Sequence, residues 1–447
     1  MSAPADIIAG SKLNAPITDR QVLRLYVVSI AMWGLDFRAA PGGVVAMFQG
    51  LLLLVYSVCF LKITRAKRSP GVGRLWLLLA AAVLFMIDSS IVGLINDQPL
   101  YLIVVRLVPV ALYAATSILT YVTLSILRED TPAFLDGLRL ACIVAGITHL
   151  VVISLSRGPI DLSTSRFEVL TGAVIPGLGI LAVALSQRLS KLDVLAVLLN
   201  LAIALVSVTR LLIVALGVQI ATAFFACPAI IIRRTALRSL FAVGAILMAI
   251  MTLDFAAGTG LTARWIERLF LAHKLGSDPS GLDRLAETHY MWDKFTSSIQ
   301  TIVFGNGLAA VTSAVGRESA RRNLLVGENS RLHVFHSIGI GHENYISVLF
   351  VAGLLGGGAI LFLMFLNAIQ SVAVIGKLER QPSVYRVADA HVGIWGGLIV
   401  LGMLTGGFLA GTFDHRDECL WLGVGTGMLY WAREMMRTAA ASSAAGK

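Results

Sequence analysis

Three charged side chains stand out because the sequence around them is almost entirely apolar. Arg210 interrupts a predominantly apolar run between positions 192 and 232, Arg106 lies near the start of a second run, and Asp88 lies in a third. A guanidinium close to hydrocarbon costs a few kcal/mol and therefore usually faces a protein interior or a wet cavity. Arg210 could bind an anion, or it could end a helix and extend toward water. Arg106 could contribute to the same anion site or form an ion pair with Asp88.

A second group of candidate residues belongs to a long hydrophilic segment and to the start of the apolar run that follows it. Arginine binds phosphate oxygens through a planar fork of N–H donors and stays charged at physiological pH. A neutral histidine can accept a proton from a hydroxyl group as a general base. The group therefore combines an anion-binding residue type with a candidate base. Its members are Arg284, Trp292, Gly305, Asn306, Gly307, His342, Glu343 and Asn344.

Several common catalytic motifs are missing. The chain has no GxxxxGK phosphate loop, no GxSxG nucleophile turn and no DxD pair that would bridge a metal ion to a diphosphate. His342-Glu343 is not followed by a second histidine at Ile346, so it is not a zincin site. His333, His336 and His342 lack the thiolates or close carboxylates that would complete a metal site. We therefore expect neither a metal ion nor another cofactor.

The composition places these residues in a membrane protein. Of the 447 residues, 57% are hydrophobic and only 14% are charged, whereas a soluble domain has about 25% charged residues. Only helices and closed barrels satisfy their own backbone in a bilayer, and continuous apolar runs favour helices. We predict an all-α, polytopic bundle of about twelve transmembrane helices. The predicted spans are residues 23–39, 43–63, 75–95, 100–127, 134–155, 169–186, 192–208, 211–232, 239–257, 345–372, 388–410 and 419–431.

The distribution of basic residues predicts the orientation of the bundle. Lys and Arg accumulate in short cytoplasmic loops, and a cytoplasmic N-terminus places most of the 36 basic residues inside. Both termini are then cytoplasmic, and the long hydrophilic segment faces the periplasm of a bacterium. The net charge of +10 is an orientation signal rather than a nucleic-acid-binding surface. The predicted divisions are N-terminal helices one to nine (1–257), a large periplasmic loop (258–341), C-terminal helices ten to twelve (342–432) and a cytoplasmic tail (433–447).

Local patterns predict further structure around the long loop. Residues 264–275 form an amphipathic helix that either lies on the membrane surface or packs on the bundle. Apolar residues at three- and four-residue spacing predict a second helix over 282–302. Small residues four apart, such as Gly423 and Gly427, predict closely packed transmembrane helices. The small-residue tail 438–447 is expected to be disordered.

The order of these features resembles the O-antigen ligase and O-antigen polymerase superfamily of bacterial membrane glycosyltransferases. In that family a Ser-Arg pair lies near the outer end of a helix. An outer loop then carries Arg, Trp and Gly-x-Gly, and a His-Asn-type motif opens the next helix before Gly-x-x-Gly. Here Thr209 stands where Ser is usual, and Glu343 separates His342 from Asn344. The matching positions are Thr209, Arg210, Arg284, Trp292, Gly305, Gly307, His342 and Gly353.

The resemblance implies a GT-C-like bundle that transfers a glycan from undecaprenyl diphosphate to an acceptor hydroxyl at the periplasmic face of the inner membrane. The transfer would invert the anomeric carbon and need no metal ion. His342 would act as general base, while Arg210 and Arg284 would stabilise the diphosphate leaving group. The residues implied to bind substrate are Arg106, Trp292, Glu343 and Asn344.

The same resemblance implies the partners. The donor is a glycan linked to undecaprenyl diphosphate, and the surroundings are membrane lipids. The acceptor is another lipid-linked repeat for a polysaccharide polymerase or a lipid A core sugar for an O-antigen ligase, and the sequence leaves both open. Other polysaccharide-assembly proteins, such as a chain-length regulator or a flippase, are implied partners, whereas nucleic acid is not.

A secondary transporter is the alternative function. About twelve helices with cytoplasmic termini also suit that class, and Asp88, His149 and Arg106 could then form a proton relay within the membrane. Two observations argue against it. The sequence shows no related halves, and its long hydrophilic loop lies late in the chain and on the predicted outer side rather than centrally and inside.

Overall fold

The computed structural model describes residues 17–35, 42–66, 75–157, 160, 169–184, 189–226, 244, 252, 254, 256, 258–275, 279–310, 344–381, 384–407 and 415–445. Within these ranges every regular element is helical. A 3₁₀ turn, Met32–Leu35, continues α1, and a π-helical turn, Gly353–Gly357, joins α12 to α13. The α-helices are α1 (Asp19–Ala31), α2 (Gly42–Thr64), α3 (Trp76–Ile95), α4 (Leu100–Ile126), α5 (Thr131–Arg157), α6 (Val174–Val183), α7 (Lys191–Ser207), α8 (Arg210–Ala226), α9 (Leu261–Leu275), α10 (Pro279–Phe295), α11 (Ile299–Phe304), α12 (Asn344–Ala352), α13 (Gly358–Arg380), α14 (Val387–Gly406) and α15 (Arg416–Ala445).

Six segments among the described residues are long and apolar enough to cross a bilayer, which supports the prediction of a membrane protein. Two further apolar helices, α6 and α8, have only 10 and 17 described residues. The predicted ninth span lies almost entirely outside the described residues. The six segments are Met47–Thr64, Trp76–Ile95, Leu100–Ile126, Thr131–Leu155, Tyr345–Arg380 and Val387–Gly406.

Helix α14 forms the centre of the bundle, because it packs against α6, α8, α13 and α15 and is buried along most of its length. Polar side chains cross between these helices. Trp395 Nε1 donates to the carbonyl oxygen of Pro176 at 3.0 Å, and Gln219 Nε2 donates to that of Leu398 at 2.9 Å. Within a bilayer such bonds satisfy groups that water cannot reach. They fix the position of α14 relative to α6 and α8.

The closest helix pairing joins α4 to α15. A Cβ atom added to Gly423 would lie 2.7 Å from the carbonyl oxygen of Tyr113, and one added to Gly427 would lie 2.6 Å from that of Ser117. Real Cβ atoms do not approach that closely, so these two glycines allow the backbones to meet. This confirms the predicted role of the Gly423–Gly427 pair. Asn367 on α13 adds a hydrogen bond of 3.2 Å from its Nδ2 to the hydroxyl of Tyr113.

Two sequence predictions about helix extent are wrong. The helix expected over 282–302 is divided into α10 and α11, because the hydroxyl of Ser298 accepts a hydrogen bond of 3.1 Å from the backbone N–H of Thr301 and starts a new helix. The tail expected to be disordered from position 438 is helical as far as Ala445. Alanine is the strongest helix former, so an alanine-rich tail extends a helix that is already formed.

The two ends of the bundle differ in character. We call the end at which α8 and α12 begin the loop end, and the end at which α5, α7 and α14 begin the far end. At the far end Arg139 lies between two carboxylates: its Nε is 2.5 Å from Asp193 and its Nη1 is 2.7 Å from Asp136. Arg139 and Asp193 are both buried. The far end therefore holds an ion pair that is internal to the fold.

A second polar cluster at the far end joins the start of α14 to the start of α5. Arg386 holds Asp389 through two hydrogen bonds of 2.8 and 2.9 Å, and Thr131 donates to the same carboxylate at 2.8 Å. Arg386 also donates to the backbone carbonyl oxygen of Arg128. Hydrogen bonding to Asp389 raises the pKa of Arg386. Each of these charges has a partner within the fold.

Candidate functional site

The turn that presents Arg210 has an unusual backbone. Helix α7 ends at Ser207, and Val208 follows with φ 49° and ψ 43°, in the left-handed region that a β-branched residue rarely adopts. Thr209 then precedes Arg210, the first residue of α8, whose side chain is half-buried. A left-handed conformation costs an ordinary residue about 1–2 kcal/mol. The fold therefore holds the Thr209-Arg210 pair at a tight, strained reversal between two helices.

Helix α9 covers this turn and is fixed by two sets of contacts. The carboxylate of Asp254 accepts hydrogen bonds from the backbone N–H groups of Leu261 and Thr262 at 2.8 and 2.6 Å, which caps the first turn of α9. Trp265 Nε1 donates to the carbonyl oxygen of Leu205 at 2.8 Å. That carbonyl lies in the last turn of α7, where helix carbonyls lack their usual i+4 donor, and its backbone partner is the N–H of Val208 at 3.3 Å. The tryptophan thus ties α9 to the end of α7.

The structure combines the two placements considered for α9. Leu261 is buried and Trp265 is half-buried against the bundle, while Ile266, Leu269 and Phe270 remain at least half exposed. Exposed apolar side chains on an amphipathic helix are typical of a helix at a membrane surface. The helix therefore packs on the bundle through one part of its apolar face and leaves the rest exposed, while its placement on a membrane surface stays a prediction.

Between α7, α8 and α9 lies a cavity of about 460 Å³. Leu201 and Ala204 line it from α7, Leu212 lines it from α8, and Thr209 lines it next to Arg210. Ile266 and other apolar residues of α9 form its roof. This volume falls within the range of about 300–1,000 Å³ that is usual for small-molecule sites. Neither the cavity nor the role of Trp265 is evident from the sequence, because both depend on where α9 folds back.

A second feature of the loop end is the docking of residues 305–307 onto the membrane helices. The backbone N–H groups of Asn306 and Gly307 donate to the carbonyl oxygens of Phe350 and Val351 at 2.7 and 2.9 Å. On the other side, the N–H of Leu308 donates to the carbonyl oxygen of Ser89 in α3 at 2.9 Å. The turn is therefore held between the last residues of α12 and the end of α3.

The glycines explain how this docking is possible. Gly305 has φ 77° and ψ −164°, a region open essentially only to glycine, and Gly307 has φ 86°. Gly353, the first residue of the π turn, has φ 57° and interrupts the regular hydrogen bonding of α12. This interruption leaves the carbonyl groups of Phe350 and Val351 to accept bonds from the turn. The Gly-x-Gly and the Gly-x-x-Gly sequences thus belong to one contact, although 45 residues separate them.

Asp88 lies beneath the same contact and does not form the ion pair with Arg106 that the sequence left open. Its carboxylate faces the backbone N–H of Gly356 in the π turn, and a Cβ added to Gly356 would lie 2.9 Å from Asp88 Oδ2. Asp88 is buried there, and its position gives it a structural part in the docking of α3 on the π turn.

The long hydrophilic segment is also held along α12. Met291 of α10 is buried and accepts a hydrogen bond of 3.4 Å from the hydroxyl of Ser347. Farther along the chain, the turn at 305–307 contacts Phe350 and Val351. The chain from α10 to this turn therefore contacts α12 at successive positions toward the π turn. Arg284 lies two helical turns before Met291, and its side chain is outside the described residues. Arg284 and the start of α12 are therefore at the same end of this helix pair.

The other candidate residues of this segment are only partly described. Trp292 is 47% exposed and contacts Phe295, with ring centroids 5.6 Å apart. His342 and Glu343 lie outside the described residues, and Asn344 is the first residue of α12, with its side chain outside them. Their predicted roles therefore stay predictions.

Helix α14 contacts both α8 and α12, the two helices that begin at the loop end. The hydroxyl of Tyr345, in the first turn of α12, donates to the carbonyl oxygen of Leu404 at 2.5 Å. Gln219 holds α8 against the same helix at Leu398, six residues earlier. Because α8 and α14 run in opposite directions, Arg210 and Tyr345 both lie toward the end of α14 at which Leu404 is found. The described structure thus brings the starts of α8 and α12 to one end of the bundle.

Arg106 lies in the second turn of α4, with its Nε buried. It is within electrostatic range of Arg416, the first residue of α15. Asp417, the next residue, accepts a hydrogen bond of 2.7 Å from the backbone N–H of Gly172 and so ties the start of α15 to the segment before α6. Sequence reasoning missed Arg416, because nothing in the sequence shows that α15 packs along α4 with their starts together.

No protein-family model matches this chain, and no curated protein matches it. Its interpretation therefore depends on the residues and their arrangement. Of the predicted site residues, Arg210, Arg106 and Trp292 are described with their side chains, whereas Arg284 and Asn344 are located only by their helices.

Proposed function

We propose that the chain is a membrane glycosyltransferase that moves a glycan from undecaprenyl diphosphate to an acceptor hydroxyl, at the periplasmic face of a bacterial inner membrane. It would be a polymerase of a surface polysaccharide or an O-antigen ligase, in a bundle of about twelve spans with a GT-C-like fold. The observation that carries the proposal is the docking of residues 305–307 on the π turn. This contact joins two of the sequence motifs on which the family resemblance rests, the Gly-x-Gly at 305–307 and the Gly-x-x-Gly at 353–356.

The docking supports the proposal because it fixes the long hydrophilic segment against membrane helices. Helix α10, which carries Arg284, is held along α12, which begins two residues after His342. Helix α8, which begins with Arg210, lies beside α14, and α12 contacts the end of the same helix. A reaction between a lipid-anchored donor and a water-exposed acceptor needs such residues at the membrane boundary.

The chemistry assigned to these residues is a single displacement. The acceptor hydroxyl oxygen attacks the anomeric carbon as the bond from that carbon to the diphosphate oxygen breaks, and the hydroxyl proton passes to His342. Negative charge grows on the departing diphosphate, so Arg210 and Arg284 lower the barrier by binding it more strongly in the transition state. Arg106 would bind the same anion near α15, and Trp292 the glycan through its exposed ring.

Two measurements test the proposal. A deletion strain would lose the polysaccharide ladder and keep single capped repeats if the chain is a polymerase. It would accumulate full-length polymer on undecaprenyl diphosphate if the chain is a ligase. In proteoliposomes given a lipid-linked glycan, Arg210→Ala, Arg284→Ala and His342→Ala should each lower product formation by about 10²-fold or more.

Asp88→Asn separates this proposal from a transporter. Asparagine keeps the size of the side chain and an oxygen that can accept from Gly356, so a glycosyltransferase should keep most of its activity. A proton-coupled transporter would lose transport with this variant and tolerate Arg284→Ala and His342→Ala. Solute movement in liposomes without any glycan product would contradict our proposal.

A further inference from the structure

The cavity under α9 is built as an apolar binding site. Thirteen residues line it, and only Thr209 and Thr262 among them carry a hydroxyl group. Trp265 contributes its ring, because its Nε1 is engaged by the carbonyl oxygen of Leu205. A site with so few polar groups gains little by binding a polar molecule, but it removes apolar ligand surface from water at about 25 cal/mol per Å². The lining therefore selects a hydrocarbon.

The surroundings of the cavity indicate what kind of hydrocarbon it takes. Thr209 lines the cavity, and Arg210 is the next residue, at the start of α8. A cation next in sequence to a residue that lines an apolar cavity complements a ligand with an anionic head and an apolar chain. Ile213, which is 52% exposed, and Ile266, which is 54% exposed, both line the cavity. The cavity is thus bordered by side chains that also face the surrounding lipid, so a chain can pass between the two.

We propose that this cavity binds the isoprene units next to the phosphate of a polyprenyl carrier, with the phosphate beside Arg210 and the rest of the chain in the bilayer. This rests on the proposed function, since that function supplies an anionic polyprenyl lipid. In this proposal α9 covers one side of the carrier chain, and α7 and α8 line the opposite side. The strained turn at Val208 joins α7 to α8 and sets Arg210 at their junction.

Binding can be tested without turnover by using undecaprenyl phosphate, which carries no glycan to transfer. The full chain in nanodiscs would be labelled with an undecaprenyl phosphate analogue that carries a diazirine close to its phosphate. Peptide mapping should then place the label on residues 201–216 and 261–269. Unlabelled undecaprenyl phosphate should compete, whereas phosphatidylglycerol at the same concentration should not.

Two cavity variants and one matched control sharpen the test. Ala204→Phe fills the cavity from α7, and Ile213→Trp fills it from a position that is already half exposed and so tolerates a larger side chain. Each should reduce labelling about tenfold. Ala202→Phe makes the same change as Ala204→Phe on an exposed face of α7 and should leave labelling unchanged. The thermal stability of each variant reports whether it has folded.

The outcomes distinguish the two proposals. Labelling that persists in a folded Ile213→Trp variant, that maps elsewhere, or that phosphatidylglycerol displaces equally well would overturn the cavity assignment, even if glycan transfer is observed. Labelling that behaves as expected in a protein that transfers no glycan would uphold the lipid site and overturn the glycosyltransferase proposal.

Discussion

The far end and the loop end of the bundle place arginines in different surroundings. At the far end Arg139 lies between Asp193 and Asp136, and its closest contacts are 2.5 and 2.7 Å long. At the loop end Arg106 lies within range of another cation, Arg416, and Arg210 directly follows Thr209, which lines an apolar cavity. A buried cation held by carboxylates completes a fold, whereas a half-buried cation that follows a residue of an apolar cavity can meet an anionic ligand from outside.

This contrast shows why an arginine near hydrocarbon is not by itself a sign of function. Arg139 is more deeply buried than Arg210, so burial alone would select the wrong residue. The two arginines differ in the side chains around them, since Arg139 contacts two carboxylates. Asp193 also accepts a hydrogen bond from the backbone N–H of Ser190 at 2.8 Å and so caps α7 as well as pairing with Arg139. The far-end ion pair is therefore part of helix termination and packing.

The largest expected effect comes from breaking the far-end ion pair. Arg139→Ala leaves the carboxylate of Asp193 buried without its counter-ion, which typically costs about 3–5 kcal/mol. We expect a large loss of folded protein and a lower melting temperature in detergent. The double variant Arg139→Met with Asp193→Leu should recover much of that stability, because no charge is then left buried.

Arg210→Ala provides the loop-end comparison for this experiment. A half-buried residue at a helix start should change the free energy of unfolding by about 0.5 kcal/mol or less. If Arg210→Ala destabilises the fold as much as Arg139→Ala does, Arg210 is a structural residue and the contrast between the two ends disappears.

The next effect concerns the contact between residues 305–307 and the π turn. Gly305→Ala puts a side chain into a backbone region that costs about 1–3 kcal/mol for other residues, and its Cβ would overlap the carbonyl oxygen of Val351. We expect the turn to detach from α12 and α3, which would speed amide hydrogen exchange at Asn306 and Leu308. Glycan transfer should fall with it.

Gly376→Ala is the matched control for this prediction. Gly376 lies inside α13 with nothing within 4 Å of an added Cβ, so alanine should stabilise that helix by up to about 1 kcal/mol. Unchanged exchange at the turn in Gly305→Ala would mean that the docking does not hold the long segment in place.

Sequence patterns predicted the spans of α2 to α5 to within three residues at each end, because these helices are long, apolar and bounded by polar residues. They also placed α9 and the close approach at Gly423. They could not predict that the tenth span is interrupted at Gly353, since the π turn meets residues 305–307, which lie 46 to 48 positions earlier. The approach of Asp88 to Gly356 was beyond reach for the same reason.

A smaller effect than that of Gly305→Ala is expected at Trp265, and it tests whether the hydrogen bond of Trp265 holds α9 over the cavity. Trp265→Phe keeps most of the aromatic surface but removes the indole N–H that donates to the carbonyl oxygen of Leu205. That carbonyl keeps its other hydrogen bond, which it accepts from the backbone N–H of Val208 at 3.3 Å. A typical hydrogen bond contributes about 0.5–1.5 kcal/mol, so the melting temperature should fall only slightly. Amide exchange in α9 should nevertheless rise clearly, while exchange in α5 at the far end stays the same. An equal rise at both ends would mean that α9 responds to global stability and is not a separately anchored roof.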